Sequence, residues 1–371
     1  MKVALIHDWL NGMRGGEKVL EIFCELFPEA PIYTLHHEKE KLSSFLQEKK
    51  IETSFIQKLP WRKTKYRYYL PLFPLAIESF KLDNFDLIIS LSHCAAKGII
   101  PPKNAVHLCY CFTPMRYAWD FYLDYFSKTI FPVRLLIKYT LKYLKRWDLK
   151  TNERIDSFIS ISQNIAAKIK KYYARDSIIV YPPVDTDFYQ ITEELKEKFF
   201  LIISALVPYK KIDIAIKTFN ELNLPLKIIG SGPEKNRLQQ QSGPNIEFLG
   251  WQSNEKIKTY YNQAQALIFP GEEDFGIVPL EALSCGCPVI AYAKGGALET
   301  LLDKKTGVFF HKQDKNSLKE AVAVFHKMNF DRNILRNQAL KFSKQKFKDL
   351  LKETIKILYN QQTIKNNLPH E

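Results

Sequence analysis

The chain has 371 residues, which exceeds the roughly 250 to 300 residues at which a single hydrophobic core stops growing, so its length predicts two domains. Hydrophobic residues at 46% and charged residues at 25% are typical of a globular protein and exclude long disordered stretches. The formal net charge of +14 favours phosphate-rich partners, which include nucleotides, nucleic acid and anionic lipid.

The opening residues, 1–6, have the pattern of a strand and lack the apolar region and cleavage site of a signal peptide. No apolar run reaches the ~18 residues that a membrane span requires. The six cysteines do not have the spacing of zinc ligands, so we expect no metal site. We therefore expect a cytoplasmic protein, peripheral on the inner face of the membrane.

Apolar runs typical of strands alternate with helical stretches along the whole chain. In the first half the predicted strands are Val3–His7, Pro31–Leu35, Asp86–Ser90, Ala105–Cys111 and Ser157–Ser162. In the second half they are Phe200–Leu206, Leu226–Gly230, Ile246–Gly250, Ala266–Pro270, Pro288–Tyr292 and Gly307–Phe310. This alternation predicts an α/β protein with parallel sheets that are covered on both faces.

Paired prolines at 182 and 183 stop regular structure and stiffen a connector, so they predict the domain boundary. We expect an N-terminal domain of residues 1–181, a C-terminal domain of residues 182–345, and a cleft between the two. The remaining residues, 346–371, contain most of a predicted helix from about Ser343 to Tyr359 and then a polar tail. The sequence leaves open whether this helix packs back on the N-terminal domain.

The first candidate site is the loop that follows the opening strand. Gly15 and Gly16 stand where a helix running to Phe27 is predicted to begin. They would let backbone N–H groups approach a diphosphate at the positive end of that helix. A tight turn with a purely structural purpose explains the two glycines equally well.

The second candidate site is the lysine pair Lys210 and Lys211, just beyond the strand that opens the second half. A lysine at the carboxyl end of a parallel strand faces the crevice in which such folds bind ligands, and it can neutralise a leaving phosphate. The alternative is a solvated basic turn.

The third candidate site contains two carboxylates, Glu273 and Glu281, that flank a helix predicted to start near Gly276. Eight residue steps at ~1.5 Å give at most about 12 Å of axial separation, which suits two ends of an extended ligand. The helix N-terminus between them could receive a diphosphate. The alternative is a pair of acids that only complement the helix dipole.

These segments resemble family four of the retaining glycosyltransferases, whose fold is GT-B. The resemblance rests on the segments at 15–17, 181–185, 207–211, 230–233, 273–282, 286–290 and 295–300. It extends from the first strand to about residue 310. It implies two facing Rossmann-like domains with parallel sheets and a cleft between them.

The same resemblance implies roles for individual residues. Glu281 would hold the ribose, Glu273 would contact the donor sugar, and Lys210 would hold the diphosphate with the Gly15-Gly16 turn. The catalytic prediction is Glu273 and Lys210. The donor-binding prediction comprises Gly15, Gly16, Lys210, Lys211, Gly230, Phe275, Gly276, Ile277 and Glu281.

Residues 113–120 are similar to the branch that includes O-antigen mannosyltransferases. This similarity implies a nucleotide-sugar donor, often GDP-mannose, a glycan or lipid-linked acceptor in surface glycan synthesis, and no metal or other cofactor. The acceptor-side prediction is Arg116, Tyr117, Trp119 and Asp120. The chain departs from the family pattern at Ala205, where many members have Arg, and at Phe112, where relatives commonly have His.

The resemblance also implies a mechanism in which Lys210 and backbone N–H groups stabilise the leaving diphosphate. The leaving phosphate could itself take the acceptor proton, so no separate general base is expected. His93 and His107, which lie near the acceptor-side segment in sequence, are interpreted as structural histidines.

Two stretches rich in basic and aromatic residues, 61–70 and Lys128 to Lys150, could lie on an anionic membrane surface. The alternative is ordinary structure with a basic outer face.

Three functional alternatives stay open. One is a UDP-hexose-dependent transferase of the same fold, and another is a non-catalytic scaffold that binds nucleotide sugar. The third is a module that stacks aromatic side chains on single-stranded nucleic acid. Because no recognition motif of the third class is present, we expect no nucleic-acid partner.

Overall fold

The computed structural model describes residues 1–119 and 131–366. The chain divides into two compact units. Unit 1 consists of Met1–Tyr181 and Phe347–Glu371, and unit 2 consists of Pro182–Lys346. The first division falls at the paired prolines, and the second lies one residue beyond the predicted position.

Unit 1 is built on a seven-stranded sheet with the order β3-β2-β1-β4-β5-β6-β7 among its described residues, and every pairing is parallel. Its strands are β1 (Val3–His7), β2 (Ile32–Thr34), β3 (Ile51–Thr53), β4 (Leu87–Ser92), β5 (Val106–Cys111), β6 (Ser157–Ser160) and β7 (Ser177–Ile179). The central strands β1, β4 and β5 are buried throughout, as expected for a parallel sheet covered on both faces. The sequence analysis missed β3 and β7, which are three-residue edge strands without a long apolar run.

Helices connect the strands of unit 1 and cover the sheet. They are α1 (Gly15–Leu26), α2 (Ser44–Gln47), α3 (Arg62–Lys65), α4 (Phe73–Glu78), α5 (Arg116–Trp119), α6 (Phe131–Lys150) and α7 (Gln163–Tyr173). One core cluster joins Ile6 and Trp9 from the β1 end to Phe73 of α4 and to Leu144 and Trp147 of α6.

Unit 2 has a six-stranded sheet with the order β10-β9-β8-β11-β12-β13, again parallel at every pairing. Its strands are β8 (Phe200–Ile203), β9 (Leu226–Ile229), β10 (Ile246–Gly250), β11 (Leu267–Phe269), β12 (Val289–Tyr292) and β13 (Gly307–Phe310). All six strands overlap the predicted ones, although β8 ends at Ile203 rather than at Leu206.

The helices of unit 2 alternate with its strands. They are α8 (Ile212–Leu222), α9 (Lys235–Gln240), α10 (Asn254–Gln263), α11 (Ile277–Ser284), α12 (Ala297–Thr300), α13 (Lys315–Phe325) and α14 (Arg332–Leu340). Its core joins Phe200 of β8 to Phe219 of α8, and Val322 of α13 to Phe310 of β13.

The last helix, α15 (Lys344–Asn366), is longer than predicted, so the predicted end of the helix at about Tyr359 is wrong. The residues after Tyr359 are mostly polar but include neither Pro nor Gly before Asn366, and polar side chains by themselves do not end a helix. From Phe347 onward the helix belongs to unit 1. The Phe347 ring packs edge-on against Phe23 and Tyr110, which join the helix to the core of that unit.

Both sheets share a topological feature that locates candidate sites. In each sheet the first strand lies near the centre, and the chain builds one side of the sheet before it crosses to the other. The order reverses between β1 and β4 in unit 1, and between β8 and β11 in unit 2. Open parallel sheets bind ligands at the carboxyl ends of the strands beside such a switch point.

Candidate active site

The switch point of unit 2 brings Lys210 and Glu273 together. Lys210 ends a short turn after β8, and Glu273 lies in the loop between β11 and α11. The Nζ of Lys210 donates to Oε1 of Glu273 in a hydrogen-bonded ion pair. The Lys210 side chain is 12% exposed and that of Glu273 is 28% exposed, so both groups are partly shielded from water.

Glu281 lies in α11 and is buried, unlike Glu273. The phenol of Tyr261 donates to Oε2 of Glu281 at 3.2 Å. Burial raises the pKa of Tyr261 well above its usual range, and the Glu281 carboxylate raises it further. Tyr261 therefore stays protonated at neutral pH and can hold the carboxylate of Glu281 in place.

The loop between Glu273 and α11 is held from the other side by a glycine turn. The N–H of Gly296 donates to the carbonyl of Glu273 at 2.8 Å. A Cβ atom at Gly296 would collide with the backbone of Phe275, so only glycine permits this close approach. The ring of Phe275 is buried and packs against Phe342, which makes it a support of the loop.

The remaining donor-side residues of unit 2 lie around this loop or after neighbouring strands. Gly276 caps α11 with φ +95°, and Ile277 is its first residue. Lys211 is exposed in a left-handed conformation at the start of α8. Gly230 follows β9, and a Cβ atom at this position would collide with the carbonyl of Ser204. Their contacts with a donor stay predictions.

In unit 1, Gly15 and Gly16 open α1, as expected. A Cβ atom at Gly16 would lie 3.4 Å from Nε2 of His7 and 3.6 Å from the Phe112 ring. The helix therefore begins directly beside the carboxyl ends of β1 and β5. The diphosphate contact of Gly15 and Gly16 stays a prediction.

The acceptor-side prediction falls partly outside the described residues, because Asp120 and the side chain of Tyr117 are not described. Arg116 begins α5 and is half-buried. Trp119 stacks on Tyr172 with 4.7 Å between ring centroids, and its Nε1 donates to Oδ2 of Asp148 at 2.8 Å. These contacts give Trp119 a packing role within unit 1.

Asp148 is itself part of a buried ion pair. Its Oδ1 lies 3.1 Å from Nζ of Lys97, and both side chains are almost fully buried. Nζ of Lys97 also donates to the Thr151 hydroxyl at 2.7 Å and to Oδ1 of Asn152 at 3.0 Å. Lys97 therefore links the turn after β4 to α6. Its partner Asp148 in turn holds Trp119 of α5.

An aspartate and a histidine are in close contact at the carboxyl ends of β1 and β4. Nδ1 of His93 lies 3.0 Å from Oδ2 of Asp8, although the residues are 85 positions apart. Asp8 follows β1 and His93 follows β4, so the pair occupies the switch point of unit 1. The contact between Asp8 and His93 was not predicted, because the order of strands in a sheet is not visible in a linear sequence. A polar residue after each of two predicted strands was the sequence signal that could have indicated it.

Asp8 is fully buried and strongly hydrogen-bonded. Its carboxylate accepts the backbone N–H groups of residues 93–96 at 2.5–2.9 Å. Burial alone would raise the pKa of Asp8, but the charge and hydrogen bonds of His93 outweigh burial and lower it to about 2. Asp8 is therefore an anion at any physiological pH.

The basic and aromatic stretches lie in unit 1. Trp61 and Tyr68 are among its most exposed large side chains, at 72% and 76%. On α6, Leu144 and Trp147 face the core while Tyr139 and Tyr143 are exposed. Residues 128–130 and the side chains of residues 131–134 and 136 lie outside the described part.

Residues 183–342, nearly the whole of unit 2, match the family model of the glycosyl transferases group 1. Unit 2 belongs to the group 1 glycosyltransferases. The predicted resemblance is thereby confirmed for the unit that contains Lys210, Glu273 and Glu281.

Curated relatives of this chain include three with modest identity. An uncharacterised glycosyltransferase of Methanocaldococcus jannaschii is 27% identical over 51% of this chain and 55% of its own. The GDP-mannose-dependent alpha-(1-6)-phosphatidylinositol monomannoside mannosyltransferase of Mycolicibacterium smegmatis is 31% identical over 38% and 44%. The O-antigen chain mannosyltransferase RfbU of Salmonella typhimurium is 30% identical over 43% and 48%. The matches span about half the length of these relatives.

Solved structures extend the likeness over the whole chain. HepE of Anabaena, determined in complex with UDP and glucose, has a TM-score of 0.69 at 16% identity and covers 96% of this chain and 99% of its own. Sucrose-phosphate synthase of Thermosynechococcus elongatus has a TM-score of 0.74 at 16% identity, with 97% and 100% covered. The chain therefore has the GT-B fold, and the predicted fold class is confirmed.

Two negative findings concern the described residues only. No described helix is both long enough and apolar enough to cross a bilayer. No group of three or more His, Cys, Asp or Glu side chains in residues 1–119 and 131–366 is arranged to hold a metal ion.

Proposed function

We propose that this protein is a retaining glycosyltransferase that transfers mannose from GDP-mannose to a lipid-linked or polysaccharide acceptor in surface glycan synthesis. The observation that carries the proposal is the Lys210–Glu273 pair at the switch point of unit 2, with the buried Glu281 in the adjoining helix. Two relatives support the choice of sugar, since one is named as GDP-mannose-dependent and another as an O-antigen chain mannosyltransferase.

In this proposal each group of unit 2 has one task. Glu281, fixed by Tyr261, accepts hydrogen bonds from the ribose hydroxyls. Lys210 exchanges the Glu273 carboxylate for the donor phosphate and stabilises the charge that develops as the diphosphate leaves. Glu273, once released, accepts hydrogen bonds from the transferred sugar. The backbone N–H groups at the start of α11 add to the stabilisation of the diphosphate.

The proposal also assigns tasks to unit 1. Gly15 and Gly16 offer backbone N–H groups to the diphosphate at the start of α1, and the segment from Arg116 to Asp120 contacts the acceptor. The chemistry uses protein groups alone, so neither a metal ion nor an organic cofactor takes part. Treatment with EDTA should leave turnover unchanged.

A lipid-linked acceptor requires the enzyme to reach a membrane. We propose that unit 1 binds the cytoplasmic face of an anionic membrane through its two basic and aromatic stretches. Support comes from exposed rings flanked by lysine and arginine, with Trp61 and Tyr68 in one stretch and Tyr139 in the other.

The test is a donor screen on the purified full chain. GDP-mannose, GDP-glucose, UDP-glucose, UDP-galactose and UDP-N-acetylglucosamine are each incubated with octyl glycosides of mannose, glucose, galactose and N-acetylglucosamine. Release of nucleoside diphosphate is followed, and the anomer of the product is determined by NMR. We expect turnover of GDP-mannose with retention of the anomeric configuration.

Variants connect turnover to the proposed site. Lys210→Ala and Glu281→Ala should each lower turnover about 100-fold or more, because each removes a group that stabilises the bound donor or its leaving phosphate. The matched controls are Lys217→Ala and Glu320→Ala, at exposed positions of unit 2. Full activity in both site variants would reject the site, preference for a UDP-sugar would replace the donor, and binding without turnover would indicate a scaffold.

A further inference from the structure

We infer that Asp148 is a positioning residue for acceptor binding, because it fixes Trp119 and thereby holds α5, which begins with Arg116. The inference rests on the proposed function, in which the segment from Arg116 contacts the acceptor. Asp148 is fully buried, so it acts through Trp119 and not by contact with a substrate. All groups that carry the inference are described residues of unit 1.

The Asp148 carboxylate connects α6 to three other elements. Its Oδ2 accepts hydrogen bonds from Nε1 of Trp119 in α5 and from the hydroxyl of Tyr173 in α7, both at 2.8 Å. Its Oδ1 lies 3.1 Å from Nζ of Lys97 in the turn after β4. Burial raises the pKa of Tyr173 well above its usual range, so this phenol stays protonated and donates to the carboxylate. The position of α5 is therefore tied to the sheet edge, to α6 and to α7.

The helix α5 is too short to keep its position by itself. It has four residues, far fewer than the ~12 that an isolated helix needs for even marginal stability in water. The backbone N–H groups of Ala118 and Trp119 donate to the carbonyl of Met115 at 3.0 and 3.2 Å, which forms a single turn. The placement of this turn therefore depends on its side chains, and Trp119 supplies a hydrogen bond to a charged group, which is a strong type.

Other contacts hold the plane of the Trp119 ring. The Tyr172 ring stacks on it with 4.7 Å between centroids and 23° between planes. Nζ of Lys145 lies 4.0 Å from the centroid of the Trp119 ring. These contacts fix the ring plane, and the hydrogen bond to Asp148 sets the rotation of the indole within that plane. Removal of the N–H alone should therefore loosen α5 while the stacked ring remains.

Stability alone does not explain the buried ion pair of Lys97 and Asp148. The two side chains are 2% and 0% exposed, and removal of both charges from water is costly. Apolar residues of similar volume are often as stabilising as such a pair, or more so. An apolar side chain at 148, however, could not accept the indole N–H and the phenol hydroxyl. The placement of these donors accounts for the carboxylate, and Lys97 offsets the cost of burying its charge.

Acceptor binding should be sensitive to the placement of α5. Arg116 and Trp119 are three residues apart, so they lie on neighbouring positions of one helical turn. A binding side chain must be held to within about 0.5 Å of its productive geometry. A rotation or shift of α5 therefore moves the Arg116 guanidinium out of place. Loss of the anchor should weaken acceptor binding and leave the binding of the donor to unit 2 unchanged.

The first test is Trp119→Phe, which removes the indole N–H and keeps an aromatic ring against Tyr172. The donor and the octyl glycoside that the wild-type enzyme uses fastest in the panel above serve as substrates. We expect the acceptor KM to rise about tenfold, because one hydrogen bond to a charged group is lost. The donor KM, and the Kd for the nucleoside diphosphate in isothermal titration, should stay within twofold of wild type. Equal losses for donor and acceptor would show a general structural role and overturn the inference.

The matched control is Trp147→Phe. Nε1 of Trp147 donates to Oε1 of Glu78 at 2.8 Å, so this variant also removes one indole hydrogen bond to a carboxylate. The change lies beside Asp148 on α6 but leaves the anchor of α5 in place. We expect a lower Tm by calorimetry, with both KM values within twofold of wild type. An acceptor KM that rises as much as in Trp119→Phe would overturn the inference.

The second test replaces the whole charged network, because a single change at Asp148 leaves the buried Lys97 charge unpaired and destabilises the fold. The triple variant Lys97→Met/Asp148→Leu/Tyr173→Phe places apolar side chains of similar size at all three positions. We expect a cooperative thermal unfolding transition, unchanged donor values and an acceptor KM at least tenfold higher. A wild-type acceptor KM in this variant would overturn the inference.

A third measurement does not depend on activity. Hydrogen exchange of the full chain is followed by mass spectrometry, and the backbone amides of residues 118 and 119 are compared between variants. They should exchange at least tenfold faster in Trp119→Phe than in wild type, and at the wild-type rate in Trp147→Phe. Unchanged exchange in Trp119→Phe would overturn the inference and leave the proposed function standing. A wild-type enzyme that turns over none of the nucleotide sugars would instead reject the proposed function, and the acceptor role of Asp148 with it.

Discussion

At the residue scale, the two acids that flank α11 have different environments. Glu281 is buried and held by the Tyr261 hydroxyl, whereas Glu273 is more exposed and paired with Lys210. A buried, hydrogen-bonded carboxylate stays in one orientation, and a surface-accessible ion pair can exchange partners. This difference suits a fixed contact to the nucleoside and an exchangeable contact to the sugar.

The Tyr261 hydroxyl allows a test of this fixed orientation. Tyr261→Phe removes one hydrogen bond to a charged group and keeps the ring, so we expect the donor KM to rise about tenfold, which corresponds to roughly 1.4 kcal/mol. The value of kcat should change less than threefold. Tyr260→Phe is the neighbouring control, and an unchanged KM in Tyr261→Phe would contradict the fixed role of Glu281.

At the element scale, the geometry of the loop before α11 depends on the turn before α12. Gly296 donates to the Glu273 carbonyl, so two segments more than twenty residues apart in sequence share one conformation. The ion pair of Lys210 is therefore positioned by an element that carries no functional side chain of its own.

A single methyl group tests this dependence. Gly296→Ala introduces a Cβ atom into the backbone of Phe275, and overpacking of this kind typically costs 1–3 kcal/mol. We expect a lower Tm by calorimetry and turnover at least tenfold below wild type. Gly12→Ala is the control, since its Cβ would meet nothing within 4 Å. Wild-type turnover in Gly296→Ala would show that the loop does not need this contact.

At the scale of the whole molecule, the net charge of +14 predicts that association with anionic surfaces weakens as salt rises. Binding to vesicles with 30% phosphatidylglycerol should fall between about 50 and 500 mM KCl. The double variant Trp61→Ala/Tyr68→Ala should lower vesicle binding about tenfold in co-sedimentation, because it removes two exposed rings. Trp251→Ala, an equally exposed tryptophan of unit 2, is the control. Binding that is indifferent to anionic lipid would contradict the membrane proposal.

The acid stability of unit 1 follows from its buried histidines. Burial lowers the pKa values of His7 and His107 from 6.5 to about 4. The unfolded chain therefore binds protons between pH 6.5 and 4 while the folded unit does not, so the free energy of unfolding is highest above pH 6.5. It should decrease as the pH falls to 4, by at most about 3 kcal/mol for each histidine.

Tryptophan fluorescence during urea unfolding can follow this loss, because four of the five tryptophans lie in unit 1. His107→Gln should reduce the dependence of the unfolding free energy on pH in this window. His311→Gln, at an exposed position, should leave the dependence unchanged. A pH-independent free energy between pH 6.5 and 4 would contradict protonation linkage at these histidines.

The sequence by itself determined the fold class and the approximate positions of eleven of the thirteen described strands, and it pointed to Lys210, Glu273 and Glu281 as candidate site residues. Apolar periodicity indicates burial along the chain, so it predicts strands. Lys210, Glu273 and Glu281 lie in short continuous motifs, so local sequence patterns were enough to select them as candidates. It missed β3 and β7, because short edge strands bury little, and it ended the last helix too early, because polar residues do not stop a helix.

Only the tertiary structure decided which distant residues meet. Asp8 and His93 are adjacent because β4 crosses over to pair with β1, and Gly296 supports Glu273 because the two loops pack together. Trp119 likewise has a packing role only because α6 brings Asp148 to its ring nitrogen. Strand order and close packing are properties of the folded chain, and no local pattern of residue types encodes them.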